Sequence, residues 1–185
     1  VARYYSWDNI ISKSECERII DDCKSDLGEI AKVGDGVGGS TVDKYRKTNI
    51  RWIDNDRLIA KLIYGFVREA NDAYFHYNIT NHEQIQLGEY STGGNYDYHQ
   101  DTITLASGIE SLPTRKLSVS VLLSDRQDFE GGEFVMYNGG KEPLKPLKGQ
   151  GSIVVFDSSD FHAVEPVTSG VRYSLVMWAR GPLFK

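Results

Sequence analysis

The 185-residue chain predicts an α+β protein that is mainly β: two amphipathic helices, then an antiparallel jelly-roll sandwich with the helices packed outside. Three observations carry this. Apolar residues in the first third recur at helical spacing. From Gln84 onward they alternate at period two in short runs. No helix-length segment interrupts those runs, which excludes parallel βαβ winding. One domain fits the length, with helical support over about 1–80 and a β core over about 84–182.

The elements follow in order. Ser12 and Glu15 form a capping-box pattern, after which Cys16, Ile19, Ile20, Cys23 and Leu27 recur as one helical face. The stretch Gly34 to Gly39 contains a GxGxxG string, but a dinucleotide fingerprint needs a strand before it and a helix opening inside it. Neither is present, so 34–41 reads as a loop. A second helix begins after Asp54, with Leu58, Ile59, Leu62, Ile63, Phe66, Val67, Ala70 and Tyr74 as its apolar stripe. Strands are expected at Ile85–Tyr90, Leu117–Leu123, Glu133–Tyr137, Ser152–Phe156 and Arg172–Ala179. Glycine turns at 93–94, 131–132, 139–140, 149–151 and 170 separate them. Lys141 to Lys148 reads as a surface loop.

Composition bounds the function. With 21 Lys+Arg against 26 Asp+Glu and no polybasic tract, electrostatic nucleic-acid binding is not expected. No apolar run approaches the roughly 20 residues a membrane-spanning helix needs. Cys16 and Cys23 lie about 10.5 Å apart along a helix axis, too far to bridge. Two unbridged thiols fit a reducing, cytoplasmic setting.

Chemistry is first suggested at His99-Gln100-Asp101, where a strand would project an imidazole and a carboxylate on one side. Alone, the pair reads better as a hydrogen-bonded surface pair. His162, after the strand ending at Phe156 and a polar turn, completes a two-His, one-carboxylate set. Such a facial triad suits non-haem Fe(II) and leaves coordination positions open. Structural zinc would want a fourth ligand, and calcium or magnesium more oxygens. Asp157 and Asp160 are candidates for orienting His162. Arg172 and Ser174 share a strand face ten residues on. An Arg turned into an apolar barrel calls for an anion, either Glu165 across the hairpin or a carboxylate-bearing cosubstrate.

The segments Tyr90 to Asp101, Gly131-Gly132-Glu133-Phe134, Phe156 to Val167 and Gly170 to Ser174 together resemble the Fe(II)- and 2-oxoglutarate-dependent oxygenases. Within them the chain most resembles the prolyl 4-hydroxylase-like branch. The likeness covers about residues 85–180 and extends to Tyr45-Arg46-Lys47-Thr48-Asn49 and Trp52. It implies a double-stranded β-helix core, jelly-roll and cupin-like, with helices buttressing the major sheet. His99, Asp101 and His162 would hold iron. Arg172 would grip the distal carboxylate of 2-oxoglutarate, with Tyr90 and Ser174 as further donors. Tyr96, Tyr98 and Trp178 are candidates for the substrate side, core packing being the competing reading of each.

The implied reaction consumes O₂ and 2-oxoglutarate and releases succinate and CO₂, with ascorbate as a candidate reductant. Related halogenases lack the carboxylate ligand, so Asp101 argues for hydroxylation. The implied substrate is a prolyl residue in a peptide or protein, which the loops at 34–41 and 102–114 would cover. The alternatives are another residue or a free small molecule, or a β-sandwich binding module without turnover. Collagen-type members tend to place Lys where this chain has Arg172. A tyrosine that sensor-type members carry on the next strand has no counterpart in Leu117–Leu123.

Overall fold

A computed structural model describes residues 3–24, 29–30, 45–102 and 114–183. Along the chain run β1 (Tyr4–Trp7), α1 (Lys13–Lys24), β2 (Glu29–Ile30), β3 (Arg46–Lys47), β4 (Asn49–Ile53) and α2 (Leu58–Ala70), which continues into a π-helical turn at Asn71–Phe75. Then follow β5 (Asn81–His82), β6 (Ile85–Ser91), β7 (Asn95–His99), β8 (Thr114–Leu122), β9 (Phe129–Gly131), β10 (Phe134–Met136), β11 (Ile153–Asp157), β12 (His162–Val164) and β13 (Val167–Gly181). The major sheet has the order β1-β11-β8-β13-β6-β4-β2, with β5 and β9 also paired to β13. The second sheet has the order β10-β12-β7-β3.

Side-chain alternation sorts each central strand into two buried faces. Leu117, Val119 and Val121 of β8, Ile153 and Val155 of β11, and Leu175, Met177 and Ala179 of β13 join one core with the helices. The residues between them turn the other way. There Val154, Phe156 and Tyr90 form a second core with Phe134 and Val164 of the smaller sheet. The fold is therefore a two-sheet barrel with helices on the outside of the major sheet. Ser118 and Ser120 break an apolar strand, a pattern that usually marks a solvent face. Here both are buried and look into the barrel.

The first third is less helical than its spacing predicts, because β1, β3 and β4 lie within it. β4 pairs with β6 and places Ile50 and Ile53 in the interior. β1 covers the outer edge of β11. α1 begins as its cap predicts: the Glu15 main-chain N–H donates to Ser12 Oγ at 3.3 Å. Cys16, Ile19, Ile20 and Cys23 are its buried face, and both thiols are free. In α2 the stripe is narrower than expected. Ala60, Ile63, Val67 and Ala70 are buried, each larger side chain contributing about 1.5–3 kcal/mol. Leu58, Leu62 and Tyr74 are exposed. The π-helical turn resets the phase after Ala70, so Phe75 packs inward in place of Tyr74. Leu27 and the 34–41 loop lie outside the described residues.

Two local devices hold the strand that leads to the site. Gly151, at φ +77°, opens β11 where an added Cβ would sit 1.9 Å from the Ile11 carbonyl oxygen. Only glycine permits that approach, and the Gly151 carbonyl in turn accepts the Ile11 N–H at 3.1 Å. At the far end, Asn71 brackets the Tyr77 backbone through both its amide atoms. The Tyr77 hydroxyl then donates to Asp157 Oδ2 at 2.5 Å, and Arg3 pairs with the same carboxylate. The 141–148 segment is a loop tied down by Leu144, which bridges to Met136, and by buried Leu147.

Candidate active site

β7 ends in His99 and β12 begins with His162, and the two are directly paired across the smaller sheet. Asp101 follows β7, its N–H held by the Ser158 carbonyl at 2.8 Å. The ligand atoms of the three lie within 4.8 Å of one another, the one such cluster of three or more among the described residues. Asp101 Oδ1 is 3.4 Å from His99 Nε2, and Oδ2 is 3.4 Å from His162 Nε2. Thus the sequence-predicted triad converges.

Both imidazoles are oriented by main-chain carbonyls. His99 Nδ1 lies 2.7 Å from the Asp97 oxygen, and His162 Nδ1 lies 3.0 Å from the Asp160 oxygen. A carbonyl accepts only, so each Nδ1 carries the proton and each Nε2 is left as a ligand atom. This corrects the expectation for the nearby carboxylates. Asp160 orients His162 through its backbone, while the Asp157 carboxylate accepts from Arg3, Tyr77 and Ser159.

Electrostatics favours a cation at this point. Burial acts to raise Asp101, but the imidazoles, His162 foremost, hold it well below the usual carboxylate range. Burial pushes His99 down. Burial opposes charge on His162 too, yet Asp101 outweighs it and pushes that imidazole up. A buried carboxylate that draws a proton onto its neighbour will draw a divalent cation more strongly. Two imidazoles and one carboxylate are a donor set that fits Fe(II), with positions left over.

Behind the triad lies a second demand for charge. Arg172 is 1% exposed. Its Nη1 donates to Ser174 Oγ at 3.0 Å and its guanidinium lies 5.3 Å from the Tyr90 ring centre. Nη2 is buried without a hydrogen-bond partner among the described residues, and Glu165 does not reach it. Burial pushes the guanidinium down to about 10, so it stays charged at neutral pH. Gly132, at φ +64°, makes room for it: a Cβ there would meet Arg172 Cδ at 3.0 Å. Ser174 and Tyr90 line the same cavity as the triad. A buried guanidinium beside that cavity, with no carboxylate partner among the described residues, fits a cosubstrate carboxylate.

The cavity also exposes what the sequence reading missed. Arg46 of β3 lies over the Tyr96 ring at 4.5 Å, and Tyr96 stacks on His99 with ring centres 3.5 Å apart. Arg46 Nε and Trp178 Nε1 are buried donors without partners among the described residues, and both residues line the cavity. Resemblance pointed to the Arg46 segment, but no spacing in the chain brings it to His99. Tyr98, in contrast, turns outward, 38% exposed and away from the cavity lining. Tyr96 and His99 both face the cavity, and the irregular pairing of β7 with β12 between them sends Asp97 and Tyr98 outward together.

Trp178 is held from behind. The Arg115 guanidinium stacks 3.9 Å from its ring and donates through Nε and Nη2 to Glu83 at 2.6 Å each. Arg180 adds a third bond to Glu83 at 2.7 Å. Burial raises the Glu83 carboxyl, but Arg115 and Arg180 outweigh it and the net direction is down from 4.5. A depressed carboxyl stabilises the fold above its unfolded pKa and loses that contribution as pH falls through the folded value. Glu83→Gln is therefore expected to cost about 2 kcal/mol at pH 7. Its stability should fall less steeply than wild type as pH drops below about 4.5. Urea melts across pH 3–7 check this, and parallel curves for the two proteins would contradict it.

Among the described residues no helix is long and apolar enough to cross a membrane. Residues 85–180 match the family model of the 2OG-Fe(II) oxygenase superfamily. The chain is 36% identical over 96 residues to a PKHD-type hydroxylase of Synechococcus sp. (strain CC9902), which is 51% of this chain and 40% of that protein. It is 37% identical over 95 residues to a PKHD-type hydroxylase of Aliarcobacter butzleri, 50% and 41% of the two chains. Those alignments span about 40% of the relatives' length. In fold, the chain is similar to a viral collagen prolyl hydroxylase from Paramecium Bursaria Chlorella virus-1 solved with 2OG (TM-score 0.71, 22% identity, 96% of each chain). It is also similar to a prolyl hydroxylase from Trichoplax adhaerens solved with a hypoxia inducible factor peptide fragment (TM-score 0.72, 19% identity, 96% of this chain and 83% of that one). The matched segment runs from the strand that supplies Tyr90, through the convergent His99, Asp101 and His162, to the strand that supplies Arg172 and Trp178, and by it the chain belongs to the 2OG-Fe(II) oxygenase superfamily.

Proposed function

We propose that the protein is a 2-oxoglutarate- and O₂-dependent hydroxylase acting on a prolyl residue of a peptide or protein. The observation that carries this is the pairing of a preformed His99, Asp101, His162 triad with a buried Arg172 guanidinium whose Nη2 has no hydrogen-bond partner among the described residues, in one barrel. His99, Asp101 and His162 hold Fe(II). Arg172 and Ser174 bind the distal carboxylate of 2-oxoglutarate, with Tyr90 as a further contact. Iron and 2-oxoglutarate together supply the oxidising power, with O₂ reduced, 2-oxoglutarate split to succinate and CO₂, and one oxygen atom delivered to a substrate C–H bond.

The chain's own residues provide geometry and dryness. Phe134, Phe156, Val164 and Val176 line the cavity and keep water from the reacting centre. On the substrate side, Arg46 Nε and Trp178 Nε1 supply hydrogen-bond donors that peptide carbonyls satisfy, and Tyr96 forms an aromatic wall. The names of the relatives support hydroxylation, and the peptide-bound structural neighbour supports a polypeptide substrate. Of the segments expected to cover a peptide, 34–41 and 102–114, the first and residues 103–113 of the second lie outside the described residues.

The test is succinate release over a panel of proline-bearing peptides, with mass spectrometry reading the gain of one oxygen. Succinate formation strictly dependent on O₂, with oxygen added at proline, is expected. Oxygen added to a different residue would replace the prolyl assignment. A folded, iron-loaded protein that forms no succinate with any peptide, or without one, would overturn the enzyme reading.

A further inference from the structure

Asp101 is held by more than its two imidazole neighbours. Ser118, fully buried on β8, donates its hydroxyl to Asp101 Oδ2 at 2.7 Å. Ser158, fully buried in the turn after β11, places its own Oγ 2.9 Å from Ser118 Oγ. Proton inventory sets the direction of this chain. An ionised carboxylate only accepts, and a serine hydroxyl has a single proton to give. Ser118 gives its proton to Asp101, so Ser158 donates to Ser118.

The relay runs one way, from Ser158 through Ser118 to the carboxylate, each bond polarising the next. Backbone contacts lock both ends. The Ser158 N–H donates to the Lys116 carbonyl at 3.0 Å. The Ser158 carbonyl accepts from the N–H groups of Asp101 and Thr102 at 2.8 and 2.9 Å. Ser158 therefore grips Asp101 twice, once through the main chain and once through Ser118.

We propose that Ser118 and Ser158 are positioning residues that make Asp101 a one-oxygen ligand, an inference that rests on the metal site proposed above. Both carboxylate oxygens lie 3.4 Å from an imidazole Nε2, but Oδ2 shares its electron density with the charge-assisted hydrogen bond from Ser118, which makes Oδ1 the stronger ligand oxygen. A carboxylate without this bond can swing to bind through both oxygens and close a position that the cosubstrate needs. The serines act before any cosubstrate arrives, by setting the carboxylate's rotation.

Co(II) is the probe, titrated into the apoprotein and followed by its visible ligand-field absorption. Wild type is expected to bind one Co(II). Ser118→Ala should weaken binding by about tenfold to a hundredfold and shift the ligand-field bands as the carboxylate changes its mode. Ser158→Ala, which leaves the Ser118 hydroxyl in place, should weaken binding severalfold. A serine that merely packs would lower the melting temperature without moving the spectrum. Folded Ser118→Ala with wild-type affinity and bands would overturn the proposal. If circular dichroism shows that Ser118→Ala does not fold, Ser158→Ala decides, and wild-type affinity there overturns it. Wild type that binds no Co(II) would sink the metal site itself, and that failure is visible before any substitution is made.

Discussion

Arg172→Met is expected to raise the dissociation constant for 2-oxoglutarate at least about a hundredfold while leaving the apoprotein as stable as wild type or more stable. The two halves have one cause. In the apoprotein the guanidinium is buried at 1% exposure, with Ser174 as its hydrogen-bond partner and no partner for Nη2 among the described residues. Burying a charge on those terms opposes folding, and a Met of similar length removes the penalty while filling the space. With 2-oxoglutarate bound, the same charge would pair with a carboxylate in a dry site. Removing one partner of such a pair costs about 3–5 kcal/mol, which is more than a hundredfold in affinity. Titration calorimetry on Co(II)-loaded protein reads the first half, and thermal melts of the apoprotein read the second. Wild-type affinity in the variant would place the anion clamp elsewhere.

His99→Ala should weaken metal binding by about three orders of magnitude and abolish turnover. A set of two imidazoles and a carboxylate has no spare member, and each ligand carries a comparable share of the binding energy. The variant should still fold, because His99 is at the end of the short strand β7 and takes no part in either apolar core. Its ring stacks on Tyr96, so the cavity wall loses order as well as a ligand. Anaerobic addition of Fe(II) and 2-oxoglutarate gives the readout: a weak visible charge-transfer band in wild type and none in the variant. An equal band in both would remove His99 from the metal site.

The triad was legible because its logic is local. His99 and Asp101 lie two apart, His162 follows a recognisable strand and turn, and Arg172 shares its strand face with Ser174. Period-two geometry does the rest. Tyr98 was misjudged because the pairing of β7 with β12 shifts between Tyr96 and His99, turning Asp97 and Tyr98 out together while both flanking rings face the cavity. The α2 stripe failed for a related reason: apolar spacing marks a wide face, and packing uses only the part that meets the sheet. Tyr74 fell outside it because the π-helical turn shifts the helical phase.

Ser118 was not legible at all. In a strand of alternating apolar residues, nothing about serines at 118 and 120 tells a solvent face from a second interior. Only closure of the second sheet over that face makes it an interior. Arg46 depends on pairing of β3 with β7, which brings a residue from the first third against Tyr96. The sequence by itself determined the class of fold and nominated His99, Asp101, His162 and Arg172 as candidates for a metal and anion site, because motif spacing and the family resemblance carry those. The tertiary structure alone decided which hydroxyl holds Asp101, which guanidinium stacks on Tyr96 and which aromatics face the cavity. Such contacts join residues far apart in the chain, and strand register and sheet closure, to which no local pattern is bound, bring them together.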